Sequence, residues 1–310
     1  MKICLILFPL ALALLCGVCH GAPVELAEFR ALSRPEPTAT VRYGMAPSQA
    51  IDLFLPNTPR PYPLVILIHG GCWSAQTAGR EQLRHLATEL AKLGIAVWSI
   101  GYRRADEPGG GYPGTFQDVA LAIDLARLDA AQYGFDLPRS VLVGHSAGGH
   151  LALWAAARDR LRAGSPLRTD HPFVPRRVIS LAGVGDLRAF ARLVPIVCGP
   201  GIIDKLLPAR FSNDDDAETS PAALPPPGGS VTLVSGVLDR LVPPFVAYDY
   251  ALAMARKHAA TPELIDIAGA GHFDLVTPGA PAWTEVRCRI ARAVGVSPRS
   301  ITGGSDLRCG

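Results

Sequence analysis

The sequence predicts an α/β fold, with a mostly parallel central sheet covered by helices on both faces. Two observations carry this. Short runs of leucine and β-branched residues, apolar at nearly every position, recur along the chain, and helical periodicities lie between them. Of the 310 residues 49% are hydrophobic and only 18% charged, which supplies apolar material for a large core and excludes a disordered chain. The net charge of +3 is too small to argue for a nucleic-acid partner, and no basic stripe is interleaved with aromatics.

In chain order, Lys2 precedes an unbroken apolar run over residues 3–19, followed by His20, Gly21 and Ala22. A short positive start, an apolar core and small residues before the cut describe a signal peptide over residues 1–21. Export to the periplasm or the medium follows, with no stable membrane association expected. An uncleaved anchor is the alternative, although the run sits at the short edge for a spanning helix. The folded domain is then expected over residues 22–296, with a polar, glycine-rich tail at 297–310.

Strands are expected at residues 51–55, 64–68, 95–100, 140–143, 178–181, 231–234 and 264–267. Leu83, Leu86, Leu90 and Leu93 share one helical face that Gly94 ends. Phe116, Val119, Ala120, Ile123 and Leu128 form a second, ending near Gly134, and Trp283, Val286, Ile290 and Val294 a third. Residues 186–227 break this rhythm with Pro195, Pro200, Pro208, three consecutive prolines from Pro225, and the acidic patch Asp214-Asp215-Asp216. An insertion of that length serves as a lid or a binding wall, with a solvated loop as the alternative for the acidic part.

The chemistry is carried by Gly144-His145-Ser146-Ala147-Gly148, placed between an apolar strand and the helix-forming Leu151-Ala152-Leu153-Trp154. A serine on a strained strand-to-helix turn projects its hydroxyl from the sheet edge, and the glycines relieve collisions with neighbouring backbone. The helix N-terminus behind it favours developing negative charge. Upstream, the 64–68 strand runs into His69-Gly70-Gly71-Cys72-Trp73, a loop able to place N–H groups opposite the serine. Gly71, Cys72 and Ala147 are the expected oxyanion donors, because charge appears on the carbonyl oxygen only in the transition state. His69 braces this loop, and Trp73 is a candidate substrate wall or else a core tryptophan.

A serine hydroxyl needs a base, and His272 in Gly269-Ala270-Gly271-His272-Phe273 follows the last strand on a loop of small residues. His145 lies inside the turn and His150 on the following helix, both worse placed. The orienting acid should follow an earlier strand end, which selects Asp239. Asp186 is its one serious rival. Asp266 lies within a strand, and Asp274 would have to fold back sharply.

With those segments in hand, and with Tyr112-Pro113-Gly114-Thr115-Phe116-Gln117-Asp118-Val119 added, the chain resembles the α/β-hydrolase superfamily. More narrowly, it is similar to the group that includes bacterial carboxylesterases, feruloyl-esterase-like and kynurenine-formamidase-like proteins. The resemblance covers about residues 41–293. It implies Ser146, Asp239 and His272 as the triad, with Gly71, Cys72 and Ala147 as oxyanion donors, and no metal or organic cofactor. Cys72-Trp73 stands where related esterases often carry a further glycine, as in the formamidase-like branch. The implied activity is hydrolysis of a small-molecule carboxylic ester through an acyl-enzyme. An aryl- or alkylformamidase is the alternative, and a catalytically silent binding protein of the same fold is the rival from another class.

Outside the leader remain Cys72, Cys198, Cys288 and Cys309, an even number compatible with two disulfides in an oxidising compartment. Cys309 reads as a tether for the tail, with Cys288 the nearest partner in sequence. Cys72 and Cys198 are then left to clamp the insertion over the oxyanion loop, with buried free thiols as the alternative.

Overall fold

The apolar runs are strands, and burial on both faces explains why they show no polar alternation. The computed structural model describes residues 21–77, 79–207, 218–258 and 261–297. Residues 1–20 of the expected leader, the Asp214-Asp215-Asp216 patch and residues 298–310 of the expected tail, Cys309 included, therefore lie outside the described residues. Strands are β1 (Ala39–Arg42), β2 (Ala50–Phe54), β3 (Tyr62–Ile68), β4 (Ala96–Ile100), β5 (Phe135–His145), β6 (Arg177–Leu181), β7 (Ser230–Gly236) and β8 (Glu263–Ile267). They form one sheet in the order β1-β2-β4-β3-β5-β6-β7-β8. The first two pairings are antiparallel and the rest parallel, with Ile66 between Trp98 and Leu142, and Leu181 opposite Val234.

Helices are α1 (Leu26–Ala31), α2 (Arg84–Lys92), α3 (Gly114–Leu128), α4 (Ala130–Tyr133), α5 (Ala147–Ala157), α6 (Leu187–Phe190), α7 (Val194–Val197), α8 (Phe245–His258) and α9 (Pro281–Ala293). Every residue of β2, β3 and β4 is buried, and so is every residue of α5, which packs on β5, β6 and α3.

The chain leaves β3 toward β4 on one side and returns to place β5 on the other. Such a switch in strand order opens a crevice beyond the carboxyl ends of the two central strands. The His69 loop follows β3 and Ser146 follows β5, so topology alone brings these two segments together.

The expected strands and helices are present, and outside the insertion the structure adds three elements that the sequence pattern did not show. Strand β1 is a short, half-exposed edge with little apolar content. Helix α1 precedes every expected element. Helix α8 buries Val246, Ala247, Tyr250 and Met254 but also exposes Phe245, Tyr248 and Leu252, so apolar residues on both faces blur its period.

The insertion is partly built rather than a loose loop. Asp186 caps α6, accepting from the Arg188 and Ala189 amides. The Leu187 amide donates to Ser220 Oγ, and Glu218 accepts from the Tyr112 hydroxyl and from Arg162.

Candidate active site

Ser146 caps the N-terminus of α5 with φ 55° and ψ −121°, a conformation costly for a residue with a Cβ. Its side chain makes no capping hydrogen bond, while its amide donates to Leu181 O at 2.9 Å. The glycines around it have steric reasons. A Cβ on Gly144 would lie 2.0 Å from Gly148 O, and one on Gly148 would lie 2.2 Å from Ile68 O. The turn thus abuts the end of β3, which is why larger residues are excluded. Ala147 is the first residue of α5, so its amide has no acceptor within the helix.

The loop after β3 coils tightly because Gly71, Cys72 and Trp73 all take positive φ, at 102°, 54° and 51°. Ser74 N and the Thr77 hydroxyl donate to Gly71 O, and the Asp106 carboxylate holds Ser74 and Ala75. His69 braces the loop as expected: its ring bonds Gly70 O at 2.8 Å and stacks on Tyr102, whose hydroxyl donates to His69 O.

Trp73 is a correction to the sequence reading, because it is no substrate wall. It is 1% exposed, and its indole N–H donates to His150 Nδ1 at 3.2 Å. The opposite His150 nitrogen, Nε2, donates to Thr219 O at 2.8 Å, so His150 is a fully used core histidine.

Asp239 and His272 are brought together by backbone. Val237 N and Leu238 N donate to Ile267 O and Ala270 O, tying the loop after β7 to the loop after β8. His272 Nδ1 then donates to Asp239 Oδ2 at 2.7 Å, and Asp239 Oδ1 accepts from the Leu241 and Val242 amides at 2.8 Å each. The carboxylate is buried with all its near donors in place, and a proton held on Nδ1 leaves Nε2 as the free base. The rival Asp186 is spent as a helix cap. Asp274 does fold back, but onto backbone: its Oδ2 accepts from Gly271 N and Val24 N.

Sequence reasoning missed the role of His145. Its Nε2 bonds the His272 carbonyl at 3.1 Å and its ring lies 4.5 Å from the His272 ring, so it braces His272. Its place beside the serine within the turn was the available signal.

Burial pushes the proton affinity of His69, His145 and His150 down most strongly: His69 to about 3, His150 to about 4, and His145 well below the ordinary range. All three are held neutral. Unfolding frees them to bind protons below pH ~6.5, so the stability they support is complete above that value. It is lost as the pH falls toward their folded values, each unit costing up to ~1.4 kcal/mol per histidine. The thermal midpoint should therefore drop between pH 6.5 and 4.5, before most carboxylates titrate. A flat profile by calorimetry across that window would contradict the assignment.

Ser146, His272, Gly71 and Cys72 line one cavity of about 410 Å³, with Val197 of α7 on its wall. Cys72 is joined to Cys198 by a disulfide with Cα atoms 5.3 Å apart, so the insertion is clamped to the loop after β3. Cys288 is disulfide-bonded as well, while the expected partner Cys309 lies outside the described residues. The Cys72–Cys198 bridge closes a 126-residue separation, and chain entropy assigns a loop of that order ~5 kcal/mol. Reduction should lower the thermal midpoint, and it should lower turnover about tenfold at temperatures where circular dichroism is still native. Full activity in the Cys72→Ser, Cys198→Ser double variant would show that the clamp has no part in the site. Among the described residues no cluster of three potential ligands could hold a metal, and no helix is long and apolar enough to cross a membrane.

A serine on a strand-to-helix turn, an acid-bound histidine and a coiled backbone loop around one cavity define the site class of esterase-like α/β proteins. The mostly parallel sheet flanked by helices is an α/β-hydrolase architecture. The BD-FAE family model matches residues 51–194, from β2 to the start of α7. Kynurenine formamidase of Danio rerio is 31% identical over 144 residues, covering 45% of this chain and 45% of that protein. A probable isoprenylcysteine alpha-carbonyl methylesterase of Arabidopsis thaliana is 33% identical over 114 residues, 36% of this chain and 23% of that one. The chain thus spans less than half the length of these curated relatives. Esterase B of Lactobacillus rhamnosis superposes with a TM-score of 0.69 at 23% identity, covering 87% of this chain and 91% of that one, which speaks for the fold.

Proposed function

We propose that the protein is a serine hydrolase that cleaves small carboxylic esters through an acyl-enzyme on Ser146. The carrying observation is the buried Asp239–His272 pair, with His272 lining the same cavity as Ser146. His272 Nε2 takes the hydroxyl proton as Ser146 Oγ attacks the carbonyl carbon, and the resulting oxyanion rests on the amides of Gly71, Cys72 and Ala147. The C–O bond then breaks, and His272 returns its proton to the leaving alkoxide. Water, deprotonated by the same nitrogen, attacks the acyl-enzyme, the bond to Ser146 Oγ breaks, and His272 returns the proton to the serine as the acid leaves. Asp239 holds the imidazole tautomer and stabilises the imidazolium without taking the proton.

Residues 22–296 form the hydrolase domain, with 186–227 as a binding wall that contributes Val197 to the cavity. The protein is exported, behind a leader at residues 1–21, to the periplasm or the medium. The Cys72–Cys198 disulfide supports this, because structural disulfides persist in oxidising compartments.

A second reading, hydrolysis of an aryl or alkyl formamide, is favoured by the match to a kynurenine formamidase. The two differ in the leaving group, an amine needing protonation before it departs. A panel of phenyl esters graded by acyl length, set against N-formylanilines, separates them. Turnover confined to the formamides would replace the ester reading, and none on either class would reject both.

A further inference from the structure

The segment that follows the leader is a wall of the cavity. Val24 N donates to Asp274 Oδ2 at 3.0 Å, the same oxygen that takes the Gly271 amide beside His272. The Phe29 ring stacks on Phe273 with centroids 5.0 Å apart and planes 20° apart, and meets His85 edge-on. Anchored by these contacts, Leu26, Phe29 and Arg30 face the cavity from one side of α1, as residues three and four apart must. Arg34 joins them from the chain just beyond the helix.

The charges around the cavity do not cancel. Of its other charged lining groups, Glu81 is paired with Arg80 at 3.1 Å and Arg104 with Glu107 at 2.7 Å. Neither Arg30 nor Arg34 has an ion-pair partner among the described residues. Two exposed guanidinium groups thus stand at the rim of a cavity that Leu26, Phe29 and Phe273 line with apolar surface. A guanidinium fork matches a carboxylate in shape as well as charge.

Resting on the hydrolase reading above, we infer that Arg30 and Arg34 select an ester that carries a carboxylate away from its scissile carbonyl. The apolar wall holds the hydrocarbon between the two groups, and the ester carbonyl reaches Ser146. The N-terminal segment is then a specificity element, while Ser146, His272 and Asp239 run the same chemistry on any ester admitted.

The test compares phenyl hexanoate with two anionic counterparts, phenyl hydrogen adipate and 4-carboxyphenyl hexanoate, which carry the charge on the acyl and on the leaving side. In the Arg30→Gln, Arg34→Gln double variant, kcat/KM for one anionic ester relative to the neutral one should fall about tenfold, from two rim contacts of a few-fold each. The change should lie mainly in KM. The wild-type ratio should also decline with added salt, as an interaction at a solvated rim must, and charge reversal with Arg30→Glu, Arg34→Glu should push it lower still. Arg127→Gln, an exposed charge on α3, should leave the ratio unchanged. Turnover of all three esters with equal ratios in wild type and double variant overturns this inference and leaves the hydrolase reading standing. Absence of turnover on every ester, together with no fluorophosphonate labelling of Ser146, overturns both.

Discussion

Ser146→Ala is expected to abolish ester hydrolysis while leaving the fold intact. In the proposed reaction the Ser146 hydroxyl is the nucleophile, and its side chain makes no capping bond that the fold would miss. Alanine at φ 55° suffers about the strain that serine does there, so the thermal midpoint should hardly move. In related catalytic arrangements, loss of the serine costs on the order of 10⁶ in kcat. A residual rate of ~10³ over water would persist from the oxyanion donors and substrate binding. Labelling with a fluorophosphonate followed by peptide mapping supplies the check. Modification at any residue other than Ser146, or retained turnover in the variant, would remove the assignment.

Asp239→Asn should lower turnover by a factor on the order of 10⁴. The carboxylate now accepts three N–H groups, from His272, Leu241 and Val242. An asparagine that keeps its oxygen on the two amides must turn its NH₂ toward His272. That reverses the ring's polarity: Nδ1 must accept, the proton moves to Nε2, and the base facing Ser146 is lost. The geometry survives while the tautomer is wrong, so the loss should appear in kcat with folding nearly unchanged. Asp186→Asn supplies the contrast, because asparagine caps α6 about as well as aspartate does. Collapse in that variant with near-normal turnover in Asp239→Asn would reverse the choice of acid.

The legible parts of the fold were those whose residues see only one kind of surroundings. β2, β3 and β4 are buried throughout, and an all-apolar run reports that directly. The turn at Gly144-His145-Ser146-Ala147-Gly148 was legible because its backbone approach leaves no room for a Cβ at two fixed positions. Helix α8 and strand β1 were not, since one carries apolar residues on both faces and the other lies half exposed at an edge. The uses of polar residues were harder again. Trp73 reads equally as wall or core until its indole is seen bonded to His150.

What the sequence determined by itself is therefore the local chemistry: a mostly parallel α/β sheet, a serine on a strained turn, and a histidine and an aspartate each following a strand. These are set by short-range sterics and by burial period, which neighbouring residues express. Tertiary structure decided how distant groups are held together. It paired Asp239 with His272 by bonding the loops after β7 and β8, and turned Asp186 into a helix cap. It set His145 against His272, joined Cys72 to Cys198 across 126 positions, and laid α1 along the cavity. Each of these contacts links residues far apart in the chain through strand order and loop packing, and no local pattern encodes where a distant strand will lie.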